Sequence, residues 1–119
     1  MKLTKIKLLS FELPLKKEFL NSQASYSLRR GYIVKLYLDD LCGCGEASPL
    51  KHFSYEHLTQ ILWAFEELKK VLEPNLEYSI NELLNLFKVY TKNIPSLNFA
   101  LDIALYDILS KKNIYSNLC

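Results

Sequence analysis

The hydrophobic positions of this chain change period near residue 54. Before it, Leu3, Ile6, Leu8 and Phe11 mix with Lys and Ser in loose alternation, a strand pattern that Pro14 is expected to end. Residues 16–30 are polar and serine-rich, with isolated Phe19, Leu20 and Tyr26, and read as a long loop that enters a strand late. Residues 31–38, Gly-Tyr-Ile-Val-Lys-Leu-Tyr-Leu, form a β-branched and aromatic run of high strand propensity. Asp39-Asp40 is a turn signal, and 41–47 returns as the next strand of a hairpin. The first half therefore predicts a three-stranded antiparallel meander.

After Ser54 the spacing becomes helical. Leu58, Ile61, Leu62, Phe65, Leu68 and Leu72 predict a helix over 54–72, with Ser54 as its N-cap and Pro74 beyond its end. Ser79 and Glu82 make a capping-box pattern ahead of Leu83, Leu84, Phe87 and Tyr90, so a second helix is expected over 79–92. Pro95 opens a third, over 95–111, with Leu97, Ala100, Leu101, Ala104, Leu105 and Ile108 as an i, i+3, i+4 stripe. Phe99, Ile103 and Tyr106 occupy a different face of that helix, which is thus apolar on much of its circumference. Such a helix is normally buried on both sides, and three strands with two other helices offer too few partners. The fold class is α+β, a meander followed by a bundle of about three helices.

At 119 residues the chain fits one domain, and with half of it hydrophobic and 24% charged its composition is globular. A formal net charge of +2 gives no electrostatic case for nucleic acid or an anionic membrane. The N-terminus alternates charged and apolar residues where a signal peptide needs an unbroken apolar run, and no window approaches the ~20 apolar residues of a membrane span. Three cysteines, an odd number, argue against a disulfide scaffold, and the expected compartment is the cytoplasm.

Candidate chemistry is sparse. Glu46 could serve as a base or metal ligand, or as an acceptor of loop amides that fixes the turn at Pro49. Cys42 and Cys44, with His52, His57 and Cys119, invite a zinc reading, yet the spacing is not that of zinc pairs, and with both sulfurs on one face of a strand small buried hydrophobes are an equally good account. His52 and His57 flank the helix start without an evident acid–base partner. Asp102 and Asp107, five residues apart, do not share a face and are expected to meet a neighbouring domain or solvent. Arg29-Arg30 reads as a solvated pair. No catalytic residue and no metal site is assigned to the chain.

Two segments resemble a known family. Gly43-Cys44-Gly45-Glu46-Ala47-Ser48-Pro49-Leu50, followed by Phe53-Ser54-Tyr55-Glu56, is similar to the run that ends the small sheet in the N-terminal domain of enolase-superfamily enzymes. Pro95-Ser96-Leu97-Asn98-Phe99-Ala100-Leu101-Asp102-Ile103-Ala104-Leu105-Tyr106-Asp107 resembles the family's "P-S-x-x-x-A-L-D-x-A-L-W-D" helix. The muconate-lactonizing subgroup is the nearest, and o-succinylbenzoate synthases within it nearest of all. The resemblance implies that residues 1–119 are a capping domain over a C-terminal (β/α) barrel absent from this chain. That barrel would carry the Lys acid/base groups and three carboxylates holding Mg2+, and would take a small-molecule carboxylate.

The implied reaction is a menaquinone-pathway dehydration, a carbon–oxygen lyase step. A dipeptide epimerase, or another isomerase of the subgroup, is the alternative within the family. A free-standing, non-catalytic binding module is the alternative outside it. Two loops, at about 15–26 and 49–53, would close over the substrate. Phe19, Leu20, Ser22, Pro49, His52 and Phe53 are the capping residues so implied, and Phe99, Ile103 and Tyr106 the face that docks on the barrel. Left uncovered, that face is expected to drive self-association, unless Trp63, Phe65 and the middle helix cover it within one chain.

Overall fold

The computed structural model describes residues 1–18, 24–48, 55–72 and 74–117. Three strands, β1 (Leu3–Glu18), β2 (Ala24–Leu38) and β3 (Leu41–Ala47), precede three helices, α1 (Tyr55–Val71), α2 (Ile80–Tyr90) and α3 (Pro95–Asn117). The sheet has the order β1-β2-β3, antiparallel throughout, so the expected α+β meander and helix bundle is the fold.

Two boundaries differ from the sequence pattern. β1 continues through Pro14, which lies opposite Leu28, and pairing runs on to Glu18 opposite Ala24, where a loop over 16–30 was expected. β1 is an edge strand, and there a residue without an N–H need not break the ladder. The polar composition of this stretch also has a cause. β3 pairs with β2 only as far as Tyr32, so beyond it β1 and β2 continue as a two-stranded ribbon with no third strand to cover it. Glu12 and Arg30, directly opposed in the register, form a cross-strand ion pair at 3.1 Å. The third helix also runs on to Asn117, past the expected 111.

The hairpin between β2 and β3 turns on Asp39 and Asp40, both at positive φ (48° and 65°), the primed-turn geometry whose twist suits a two-residue hairpin. Asp39 also accepts from the Lys2 N–H at 2.7 Å. The Ser79–Glu82 capping box forms as the sequence predicts, with Ser79 Oγ accepting from Glu82 N–H at 3.1 Å and Glu82 Oε1 from Ser79 N–H at 3.4 Å.

One face of the sheet carries the core. Leu3 and Ile6 of β1, Val34, Leu36 and Leu38 of β2, and Gly43, Gly45 and Ala47 of β3 are buried there. Ile61, Phe65 and Leu68 of α1, Leu83 and Phe87 of α2, and six residues of α3 meet them. Leu97, Leu101, Leu105 and Ile108 of α3 are fully buried, and each contributes about 1.5–3 kcal/mol by leaving water. Both edges of the sheet are covered beside this core. On the β1 side, residues 75–78 bond to the strand's first residues: Leu3 N–H donates to Leu76 O at 3.1 Å, Asn75 N–H to Leu3 O at 2.6 Å, and Tyr78 N–H to Met1 O at 2.8 Å. On the β3 side the cover is α3.

Candidate functional site

The two segments singled out in the sequence form a single seam. β3 presents Gly43 and Gly45 to α3, and α3 answers with Ala104 and Ala100. A Cβ on Gly45 would overlap the carbonyl oxygen of Ala100 and stand 2.7 Å from its carbonyl carbon. A Cβ on Gly43 would overlap the Ala104 oxygen and stand 2.7 Å from Ile108 Cγ1. Neither glycine has positive φ, so each is required for close approach rather than for backbone freedom. At the outer border of the seam, Asp107 Oδ2 accepts from Cys44 N–H at 3.1 Å, and Lys111 Nζ donates to Cys42 O at 2.6 Å and to Asp107 at 3.2 Å. This i, i+4 pair satisfies backbone groups of an edge strand that would otherwise be open to pairing. Asp107 therefore turns to its own sheet, and not to a neighbouring domain or solvent as expected.

The opposite face of α3 is uncovered. Phe99 is 62% exposed, Ile103 39% and Tyr106 54%. Trp63 does not cover them, being 75% exposed itself, while Phe65 is in the core. The residues follow i, i+4, i+7 spacing, and Asp102 falls in the same strip at i+3 from Phe99. Asp102 is half-buried, and this desolvation raises its carboxyl above the ordinary range against the weaker pull of Lys88 on α2. Among the described residues no cation lies within ion-pair distance of it.

Other candidates fall elsewhere. Glu46 pairs with Arg29 at 2.9 Å, and Arg29 Nε donates to Ser48 Oγ at 3.1 Å. The acidic residue after the glycines thus finds a donor on the neighbouring strand, while the loop amides of 49–54 lie outside the described residues. Arg29 and Arg30 remain exposed and half-exposed, and each carries an ion pair to a carboxylate on a neighbouring strand. Cys42 and Cys44 occupy the outer face of the sheet, half-exposed and exposed, which corrects the expectation of buried packing. Alternation dictates this, because the intervening Gly43 and Gly45 point at α3. Partial burial, and then the neighbouring Cys42, raise the Cys44 thiol.

Among the described residues no group of three or more His, Cys, Asp or Glu is placed to hold a metal ion. The side chains of His52, His57 and Cys119 lie outside the described residues. So do all six proposed capping residues, Phe19, Leu20, Ser22, Pro49, His52 and Phe53, and the expected N-cap Ser54. A shallow hollow of about 250 Å3, lined by Trp63, Ala64, Lys92 and Ile94 among others, was not foreseen from the sequence and brings no reactive group together.

Comparison with known proteins places the seam in context. Residues 3–108 match the family described as MenC, N-terminal domain. A curated relative, N-succinyl-L-Arg/Lys racemase of Bacillus cereus, is 33% identical over 119 residues, covering 94% of this chain and 31% of that protein. The crystal structure of a mandelate racemase/muconate lactonizing protein from Herpetosiphon aurantiacus superposes with a TM-score of 0.68 at 23% identity, over 94% of this chain and 32% of that one. At this identity the likeness speaks to the fold alone. The chain spans about a third of the length of each of these two relatives.

Proposed function

Because the chain belongs to the MenC N-terminal domain family, we propose that it is the capping domain of an enolase-superfamily enzyme, seated over the open end of a C-terminal (β/α) barrel. The observation that carries this reading is the second face of α3. A helix sealed on its sheet by Gly43, Gly45, Ala100 and Ala104 still exposes Phe99, Ile103 and Tyr106. Clustered apolar exposure of this kind marks an interface more often than a free surface.

On this reading the chemistry belongs to the barrel. Mg2+, when bound there, stabilises the negative charge that develops as a proton leaves the carbon beside a carboxylate. Among the described residues of this chain no three donors converge to hold the ion. The chain's own contribution is to close loops over the substrate and exclude water, with Phe19, Leu20, Ser22, Pro49, His52 and Phe53 as the contacts. The setting is cytoplasmic; no helix among the described residues is long and apolar enough to cross a membrane.

Two reactions fit the family. Dehydration to o-succinylbenzoate is the first. Racemisation or epimerisation is the second, favoured by the name of the Bacillus cereus relative, and it suits the same proton abstraction. Assaying the complete protein with both substrate classes separates them, by formation of the aromatic product or by solvent deuterium exchange at the α-carbon. In that protein, Leu20→Ala and Phe53→Ala should raise KM and leave metal affinity unchanged. Unchanged kinetics in both variants refutes the lid role. Chelator-sensitive turnover by residues 1–119 alone overturns the capping reading. So does a complete protein that carries no barrel, which would leave a free-standing module.

A further inference from the structure

We propose that the domain covering α3 meets Asp102 with a cationic hydrogen-bond donor, an arginine or lysine side chain, set beside the apolar contact made by Phe99, Ile103 and Tyr106. This rests on the capping reading and adds to it the chemistry of the partner surface.

The argument starts from the two carboxylates of α3. Asp107 is spoken for within the chain, by the Cys44 N–H and the Lys111 ammonium. Asp102 is not: it has no hydrogen bond or ion pair among the described residues, and its only favourable neighbour is the exposed Lys88 of α2, felt at a distance. Helical spacing nevertheless puts Asp102 between Phe99 and Tyr106 on the uncovered strip, not on the side where Asp107 grips the sheet. One turn earlier, Asn98 carries a buried Oδ1 that also lacks a donor. That oxygen is closed off inside the chain, so Asp102 is the acceptor that the strip leaves open to a partner, beside an apolar centre.

A partner that covered only the apolar side chains would strip the remaining water from a carboxylate already half-desolvated. That is costly unless a cation replaces the water, because a buried unpaired charge is among the least tolerated groups at an interface. The occupant is the domain that follows the N-terminal domain in this family, since the family match is to an N-terminal domain and the chain spans a third of its relatives. A guanidinium suits the position best, for its planar fork can address both oxygens of one carboxylate.

The test uses the complete protein. The side-chain carboxyl of Asp102 is followed by 13C NMR through an acid titration, and the accessibility of Tyr106 by oxidative footprinting. The expected result is a protected Tyr106 together with an Asp102 that titrates below the ordinary carboxylate range, and Asp102→Lys should restore footprinting of Tyr106 where Asp102→Asn does so weakly. A protected Tyr106 with Asp102 still titrating above that range overturns this inference and leaves the capping reading standing. A freely oxidised Tyr106 in the wild-type protein overturns both.

Discussion

Substituting Gly45 by alanine tests the seam that organises this domain. The added Cβ would overlap the carbonyl oxygen of Ala100, and would lie 2.7 Å from the carbonyl carbon and 3.0 Å from the Cα. All three obstacles are main chain, so no rotamer change relieves them. The helix must withdraw by roughly 1 Å, a gap that already forfeits a quarter to a half of the dispersion energy at each contact it opens. The contacts at risk are those of Leu97, Leu101, Leu105 and Ile108, all fully buried on that face. Overpacking of this kind costs about 1–3 kcal/mol, and a backbone obstacle places Gly45→Ala at the upper end, about 3 kcal/mol. With a urea m-value of about 2 kcal/mol per molar, the unfolding midpoint falls by about 1.5 M while m itself is unchanged.

Urea unfolding followed by circular dichroism reads this directly, and two controls sharpen it. Gly31→Ala should cost less, about 1–2 kcal/mol, because its one main-chain obstacle, the Ala47 oxygen, stands off at 2.8 Å and the rest is the tip of the Phe11 ring, also at 2.8 Å. Ala100→Gly should not rescue Gly45→Ala, since it removes none of the obstructing atoms. An unchanged midpoint in Gly45→Ala, or rescue by Ala100→Gly, would refute the close-approach reasoning.

Two further outcomes are expected. Ser79→Ala removes the acceptor of the Glu82 N–H and should lower stability by about 1 kcal/mol in the same urea experiment, with Ser79→Asp close to wild type. Asp39 is held below the ordinary carboxylate range chiefly by the Lys2 N–H, with Lys112 adding to it. Its folded value is depressed, so its contribution is present above the unfolded pKa and is lost as pH falls through the folded one. Asp39→Asn, which keeps a residue tolerant of positive φ, should lower stability at neutral pH and flatten its fall in that acid window, so that the difference from wild type closes as pH drops. An unflattened acid limb would show that the Lys2 contact does not hold the charge.

What could be read from the sequence follows from what each pattern measures. A helix that buries one stripe writes that stripe at a period of 3.6, so α1, α2 and α3 were legible to within a few residues at most ends. The Ser79–Glu82 box was legible because its partners are three residues apart in the chain. The outer halves of β1 and β2 were not. Beyond Tyr32 no third strand pairs with β2, and the pairing of the ribbon is made by the backbone, which the sequence does not advertise. Pro14 misled for a related reason, since its missing N–H excludes a central strand but not an edge.

The seam shows a different limit. Alternation places Cys42 and Cys44 on one side of β3 without saying which side is buried. The deciding signal lay in Gly43 and Gly45 read together with Ala100 and Ala104, two glycines two apart on a strand and two alanines four apart on a helix. Small residues at those periods let a helix lie directly on a sheet. Once α3 is sealed there and tied to the strand edge by Asp107 and Lys111, its remaining apolar residues have nowhere to go within the chain. The apolar circumference of α3 is therefore the sum of two interfaces: one inside the domain, and one that Phe99, Ile103, Tyr106 and Asp102 hold open for a partner.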